Sequence, residues 1–297
     1  MKNVPKIVGL GETLWDVFPD GPRLGGAPLN FSCSAAELAG DSATVFMVSA
    51  VGNDALGRSA IDALKSHGVE IANIQRNDRA TGQVYVELDA AGVASYRFAD
   101  DGAWDHLEWT GQLDQLAAEC DAVCFGSLGQ RGSVSRDTIH KFVAATPATT
   151  MRILDVNLRA PFFSDEVILE SLTLANTLKL NDDELPHLAK LFGIRGTATE
   201  IMSQLAEKYQ LRCVALTRGP NGAVLMCGDA ISDLAGVEVA VADTVGAGDA
   251  FTAAMTLGLL AGHAVDKINQ HAINVAAYVC SQSGATVSFP DHLQTGT

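Results

Sequence analysis

Basic residues are scarce in this 297-residue chain: 20 Lys and Arg stand against 35 Asp and Glu, a formal net charge of −15. A surface so short of cations matches neither nucleic acid nor an anionic membrane, because phosphate binding needs clustered Lys and Arg. One small anionic substrate needs only a local site and stays admissible. No Cys-x-x-Cys pair occurs among Cys33, Cys120, Cys124, Cys213, Cys227 and Cys280, which sit mostly inside apolar runs. Zinc and disulfide frameworks are therefore not expected, and the cysteines read as reduced, buried small hydrophobes. The stretch Met1 to Lys6 lacks an apolar signal core, and the most apolar run, Ala250 to Gly262, is too short to span a bilayer. Internal repeats and low-complexity linkers are missing too. What remains is the expectation of a cytoplasmic α/β protein, long enough to bury a substantial core as one large α/β domain or as one domain with a small appendage.

Along the chain, short apolar runs alternate with helical patterns. Strands are expected at Ile7–Glu12, Thr44–Val51, Ala122–Phe125, Arg152–Arg159, Cys213–Leu216 and Ala223–Cys227. Helices are expected over Phe31–Ala39, Arg58–His67, Ser135–Ala145, Glu166–Ala175, Thr197–Tyr209, Ala250–Leu260 and Lys267–Gln282. The last of these carries Asn274 on an apolar face, where a polar group needs a partner. Thr81 to Phe98 departs from this texture by alternating apolar and polar residues around Asp89-Ala90-Ala91-Gly92, the pattern of a half-exposed antiparallel hairpin. Combined with Leu14 to Leu24, it would make a small sheet over one end of the main sheet, where a lid would sit. Arg97 and Phe98 are candidates to face a substrate, although a solvent-facing Arg and a core Phe are the usual fates.

Polar residues gather where strands end. Glu12, Trp15 and Asp16 follow the first strand, and Gly25-Gly26-Ala27-Pro28-Leu29-Asn30 leads into a helix, with adjacent glycines that permit close backbone approach. Asp155, Asn157 and Arg159 close another strand, at the carboxyl edge where open α/β sheets bind ligands. Asn181-Asp182-Asp183-Glu184 is compatible with a magnesium–phosphate corner or with ordinary helix capping. Thr217-Arg218-Gly219-Pro220-Asn221-Gly222 suits either a nucleotide approach or a plain hairpin turn.

The organising stretch is Val239 to Phe251, which reads as a strand, the turn Gly246-Ala247-Gly248, and a helix. Unpaired backbone N–H groups at such a helix start suit an anion. Asp249, however, would repel a phosphate that is merely held, so its presence suggests a base that takes a proton from a hydroxyl while the N–H groups hold the charge forming on a transferred group. The stretch lacks a Walker ending and the spacing of the dinucleotide fingerprint. Simple capping by Asp243 and Asp249 remains the alternative at this level.

Taken together, Gly25-Gly26-x-x-x-Asn30, Asn181-x-x-Glu184 and Asp243-Thr-x-Gly-Ala-Gly-Asp249 resemble the signature of the ribokinase-like (PfkB) carbohydrate kinases across essentially the whole chain. The early Gly-Gly-Ala-Pro-x-Asn, preceded by Gly-Glu-x-x-Trp-Asp, is similar to the fructokinase branch. The resemblance implies a single three-layer α/β/α domain with a mostly parallel sheet and a β-sheet lid from segments 14–25 and 81–99. It implies transfer of the ATP γ-phosphoryl group to a sugar hydroxyl, with fructose at its 6-position as the expected acceptor. Asp249 would be the base, and Gly246, Ala247 and Gly248 the anion hole. Asp16, Gly25, Gly26, Asn30, Arg97 and Arg159 would serve the sugar, while Asn181, Thr217, Gly219, Gly222 and Asn274 would serve ATP. Glu184 would hold Mg2+ through water, and Asp243, Val245 and Ser288 a monovalent cation, K+. Arg218 and Asp182 depart from the family pattern, at the nucleotide turn and at the magnesium corner. Ribose, 2-keto-3-deoxygluconate or a nucleoside are the other acceptors to weigh, and a catalytically silent regulator is the alternative of a different class. An exposed lid sheet could pair with a second copy, giving a homodimer.

Overall fold

The computed structural model describes residues 4–18, 21–88 and 94–294. Chain order begins with β1 (Lys6–Leu10), β2 (Leu14–Phe18), β3 (Gly21–Gly25), α1 (Ala27–Ala39), β4 (Thr44–Gly52), α2 (Ala55–Ser66), β5 (Ile74–Asn77), β6 (Gly82–Leu88) and β7 (Ala94–Phe98). It continues through α3 (Gly111–Glu119), β8 (Ala122–Gly126), α4 (Ser133–Ala145), β9 (Met151–Asp155), α5 (Asp165–Leu174), β10 (Thr177–Asn181), α6 (Glu184–Phe192) and α7 (Ala198–Tyr209). Last come β11 (Cys213–Thr217), β12 (Ala223–Cys227), β13 (Ala230–Leu234), α8 (Ala247–Leu260) and α9 (Val265–Cys280).

The main sheet runs β13-β12-β11-β10-β9-β8-β1-β4-β5, parallel except for the edge hairpins β11-β12 and β12-β13. Its strands alternate between two cores, as a two-residue period requires of a sheet covered on both faces. On β8, Val123 and Phe125 pack with α3 to α7, whereas Ala122 and Cys124 pack with α1, α8 and α9. The result is the expected three-layer α/β/α arrangement. A second sheet, β3-β2-β6-β7, is built from the two segments that sequence patterning had set apart, with β2-β6 parallel and both outer pairs antiparallel. The Asp89–Gly92 turn inferred between its last two strands lies outside the described residues, as do Met1 and Asp20.

Several sequence expectations need correction. Val239–Ala242 is not a strand; no ladder partner receives it, and Val241 is 65% exposed. Apolar, β-branched composition misled here because the run faces an open cleft rather than a core. The cysteines are not all reduced: Cys213 and Cys227 form a disulfide, their Cα atoms 4.2 Å apart, because the β11-β12 register sets them directly opposite each other. The other four cysteines are free. The helix starting at Ala27 opens earlier than periodicity suggests, since Pro28 fits a first helical turn whose N–H has no intrahelical partner. Helices α3 and α6 and strands β5, β10 and β13 carry no sequence assignment. Among the described residues, no helix is long and apolar enough to cross a membrane.

On α9 the polar residue that matters is Asn269, not Asn274. Asn274 only accepts a hydrogen bond from Gln270 one turn away, 3.0 Å. Asn269 is fully buried, and its Nδ2 donates to the carbonyls of Ala223 (3.0 Å) and Ser232 (3.1 Å), locking the helix onto β12 and β13. Asn269→Ala would leave two buried carbonyls short of a donor, at about 1–3 kcal/mol. Urea denaturation is expected to show a loss of about 2 kcal/mol; an unchanged midpoint would remove this lock from the account.

Candidate active site

A cleft of about 1030 Å3 opens at the carboxyl ends of β1, β9, β10 and β11, between the main sheet and the small one. This edge is where a doubly wound sheet offers loop ends and helix starts to a ligand. Four strands deliver polar groups where their ladders end: Glu12 after β1, Asn157 and Arg159 after β9, Asn181 on β10 and Thr217 on β11. Asn157 has a φ of 37°, which Asn tolerates better than most residues and which turns the chain toward the cleft.

Helix α8 begins at the floor. Gly246 lies at φ 81°, and a Cβ there would meet Ala285 at 2.7 Å, so only glycine allows the turn. Asp243 holds the approach to that turn by accepting from the N–H groups of Val245 (3.0 Å) and Gly284 (3.3 Å). Past it, the exposed N–H end of the helix meets Asp249, which accepts from Asn30 Nδ2 at 2.8 Å. Burial raises the Asp249 carboxyl to about 6, reinforced by Asp155 and opposed by Lys179, the Asn30 hydrogen bond and Arg159. A carboxylate with this value is ionised at neutral pH yet basic enough to take a proton.

Lys179 escaped the sequence analysis. In sequence it is one polar residue in an apolar strand; in space it is 6% exposed and donates to Asp155 Oδ1 at 3.0 Å. Asp155 is its register partner across β9-β10, and Thr252 on α8 donates to the other oxygen at 3.0 Å. The ammonium also lies 3.1 Å from where a Gly248 Cβ would stand, beneath the start of α8. Buried ion pairs contribute little net stability against apolar replacements, so this pair is better explained by the positive charge it brings to the helix start. The available signal was the pairing of Asp155 and Lys179 at the polar ends of adjacent strands, and reading it needed the strand register.

The other inferred residues fall into two groups. Asp16, Gly26, Asn30, Arg159, Asn181, Thr217, Gly219, Gly222, Val245, Ala247 and Gly248 all line the cleft beside Asp249. Gly25 abuts Asp16, with room for no Cβ beside Oδ2 (2.6 Å). Burial raises Asp16 to about 6, partly offset by Arg159. Glu184 stands just behind the wall: its carboxylate accepts from the N–H groups of Leu158 (2.9 Å) and Asn181 (2.8 Å). Arg97, Asn274 and Ser288 are not gathered into the cleft. Arg97 lies over the Tyr85 ring at 4.3 Å, and Ser288 Oγ donates to Glu37 at 3.3 Å. Arg218 is bound to Asp233 at 2.6 Å and fastens the hairpin turn to β13. No cluster of three or more His, Cys, Asp or Glu able to hold a metal occurs among the described residues.

Comparison with known proteins gives this geometry a context. The family model described as pfkB family carbohydrate kinase matches residues 17–292. A fructokinase of Salmonella typhimurium is 29% identical over 273 residues, covering 86% of this chain and 85% of its own. An ATP-dependent 6-phosphofructokinase of Thermoanaerobacterium thermosaccharolyticum is 27% identical over 275 residues, covering 90% of this chain and 82% of its own. The crystal structure of an uncharacterized sugar kinase from Pyrococcus horikoshii in complex with ATP superposes with a TM-score of 0.80 at 28% identity, covering 96% of this chain and 95% of the other.

The electrostatic reading of the cleft floor is open to direct measurement. Lys179 holds the Asp249 carboxyl down, so Lys179→Met is expected to move its titration above the wild-type value of about 6. Carboxyl-carbon NMR of aspartate-labelled protein reads this; an unmoved or lowered titration would contradict the placement of Lys179 charge at Asp249.

Proposed function

The chain belongs to the pfkB family of carbohydrate kinases, and from that premise we propose that it transfers the γ-phosphoryl group of ATP to the 6-hydroxyl of fructose, with Asp249 as the general base. The observation that carries this reading is the Asn30–Asp249 hydrogen bond at the N–H end of α8, which sets a basic carboxylate beside an anion cradle in one cleft. Sugar and ATP meet there. Asp249 accepts the proton of the sugar hydroxyl as its oxygen attacks the γ-phosphorus in line. The N–H groups of Gly246, Ala247 and Gly248 take up the charge spread over the transferred oxygens, and the Lys179 ammonium adds to their field.

Charge separates the two ends of the cleft. The sugar end carries the carboxyls Glu12 and Asp16 beside Asp249, with Arg159 as counter-charge, a setting that repels sugar acids and sugar phosphates and favours a neutral polyol. A carboxylate or phosphate acceptor would call for an arginine pair, and Arg97 is occupied with Tyr85. The nucleotide end is apolar: Val237, Val241 and Val245 leave 43%, 65% and 43% of their surfaces uncovered along the cleft, a face suited to a flat base. Gly219 and Gly222 supply the close backbone approach there. The small sheet stands over the sugar end through Leu14, Val84 and Phe98 and acts as a lid that keeps water from competing as acceptor.

The residues of the polyphosphate corner fit Mg2+, with Glu184 as an outer ligand. Both oxygens of Glu184 already accept backbone N–H groups, which leaves it able to hold metal-bound water, and Asp182 and Asp183 add carboxylates to the cleft wall. Bound with ATP, the ion neutralises charge on the phosphates. Asp243, whose oxygens clamp the loop that carries Gly246, keeps lone pairs for a monovalent cation beside the Val245 carbonyl, whereas Ser288 lies with Glu37.

Asp249→Asn keeps the shape of the site and removes the base. The variant is expected to bind ATP and fructose within a few-fold of wild type by calorimetry and to lose turnover by about a thousandfold or more. In the unaltered protein kcat at saturating sugar is expected to fall as pH drops through about 6, because Asp249 must be ionised to act. Turnover by Asp249→Asn near the wild-type rate would withdraw Asp249 from the base role.

A further inference from the structure

One buried acid at the sugar end contributes its charge there but has no contact assigned to it. Glu12 is 2% exposed and lines the cleft at the sugar end. Backbone N–H groups of Ala27 and of Glu12 itself face its carboxyl, yet Oε2 has no hydrogen-bond partner. The room for it is built by glycines: a Cβ on Gly129 would lie 3.2 Å from Oε2, and one on Gly26 3.5 Å from Cγ. Asn30 repeats the pattern, since Nδ2 is given to Asp249 while its buried Oδ1 has no partner. Each buried acceptor left without a donor costs about 1–3 kcal/mol, so two of them, on residues that line the cleft next to the base, point to donors that arrive with a ligand as the site closes around it.

We propose that Glu12 is a further substrate-binding residue, its free Oε2 holding a sugar hydroxyl other than the one that is phosphorylated. The proposal rests on the sugar-kinase reading and adds the contact that orients the acceptor. A hydroxyl is the fitting partner for a chemical reason. Burial raises the Glu12 carboxyl to about 7, with Asp249 adding to the effect, so acid and carboxylate forms coexist near neutrality. A hydroxyl donates to the carboxylate and accepts from the acid, whereas an ammonium suits only the first and a phosphate only the second. Held at Glu12 and Asn30, the sugar presents the hydroxyl to be phosphorylated to Asp249.

Glu12→Gln keeps the size of the side chain and replaces one carboxyl oxygen with a donor. Initial rates are measured with varied fructose and varied ATP, and with a set of monodeoxyfructoses. The expected result is a rise in KM for fructose of about tenfold or more, with KM for ATP within twofold. One monodeoxy analogue should penalise the unaltered enzyme by a similar factor and the variant hardly at all, because the same contact cannot be lost twice. Glu12→Asp, which keeps the charge and shortens the reach, should show the same sugar-only loss and covers the case in which the glutamine variant misfolds. An unchanged KM for fructose, or equal analogue penalties with and without Glu12, would overturn the proposal and leave the kinase reading intact. Absence of turnover by the unaltered enzyme on every sugar, with ATP still bound, would instead overturn the kinase reading on which it rests.

Discussion

The start of α8 concentrates negative charge where a fold can least accommodate it. Asp249 and Asp155 both stand there, and the Glu12 carboxyl is close enough to feel the Asp249 charge. Uncompensated, buried carboxylates at this density would take up protons and lose their chemistry. The structure answers with three positive features: the N–H end of α8, the Asn30 amide at 2.8 Å, and the Lys179 ammonium anchored 3.0 Å from Asp155. Their balance keeps Asp249 raised but still ionised at neutral pH. The rest of the molecule arranges itself around that balance.

The three layers matter because they fix the participants independently. Asn30 comes from α1, Lys179 from β10, Asp155 from β9 and Asp249 from α8, and each of those elements is held by its own share of the two cores. Side chains anchored on packed helices and strands keep their geometry better than side chains on loops. The loops supply close backbone approach at the Gly246 turn and the Gly219–Gly222 hairpin. The cleft is thus rigid where charge is balanced and open where ligands enter.

What could be read beforehand follows the same division. Asp243 to Asp249 was legible because its residues are consecutive, so spacing alone brings them to one helix start. The small sheet was legible from a change of texture at Thr81. Lys179 was not, since its burial and its partner come from the β9-β10 register and not from its neighbours in sequence. The Cys213–Cys227 disulfide escaped for the same reason, lying across an antiparallel pair. Val239–Ala242 carries strand composition but lines the cleft, where apolar side chains await a ligand in place of a core. Glu12 sat in a recognisable motif, but its free oxygen is visible only once the surrounding donors are counted.

The account turns on transfer to a sugar hydroxyl instead of water, and the products tell the two apart. Phosphorus NMR of a mixture of the protein, ATP, Mg2+ and fructose follows both in one tube. The account requires a phosphomonoester on the fructose 6-position to grow in step with ADP, one for one, with inorganic phosphate at background. ADP and inorganic phosphate appearing together without a sugar ester, or an ester formed only on a different acceptor, would contradict it.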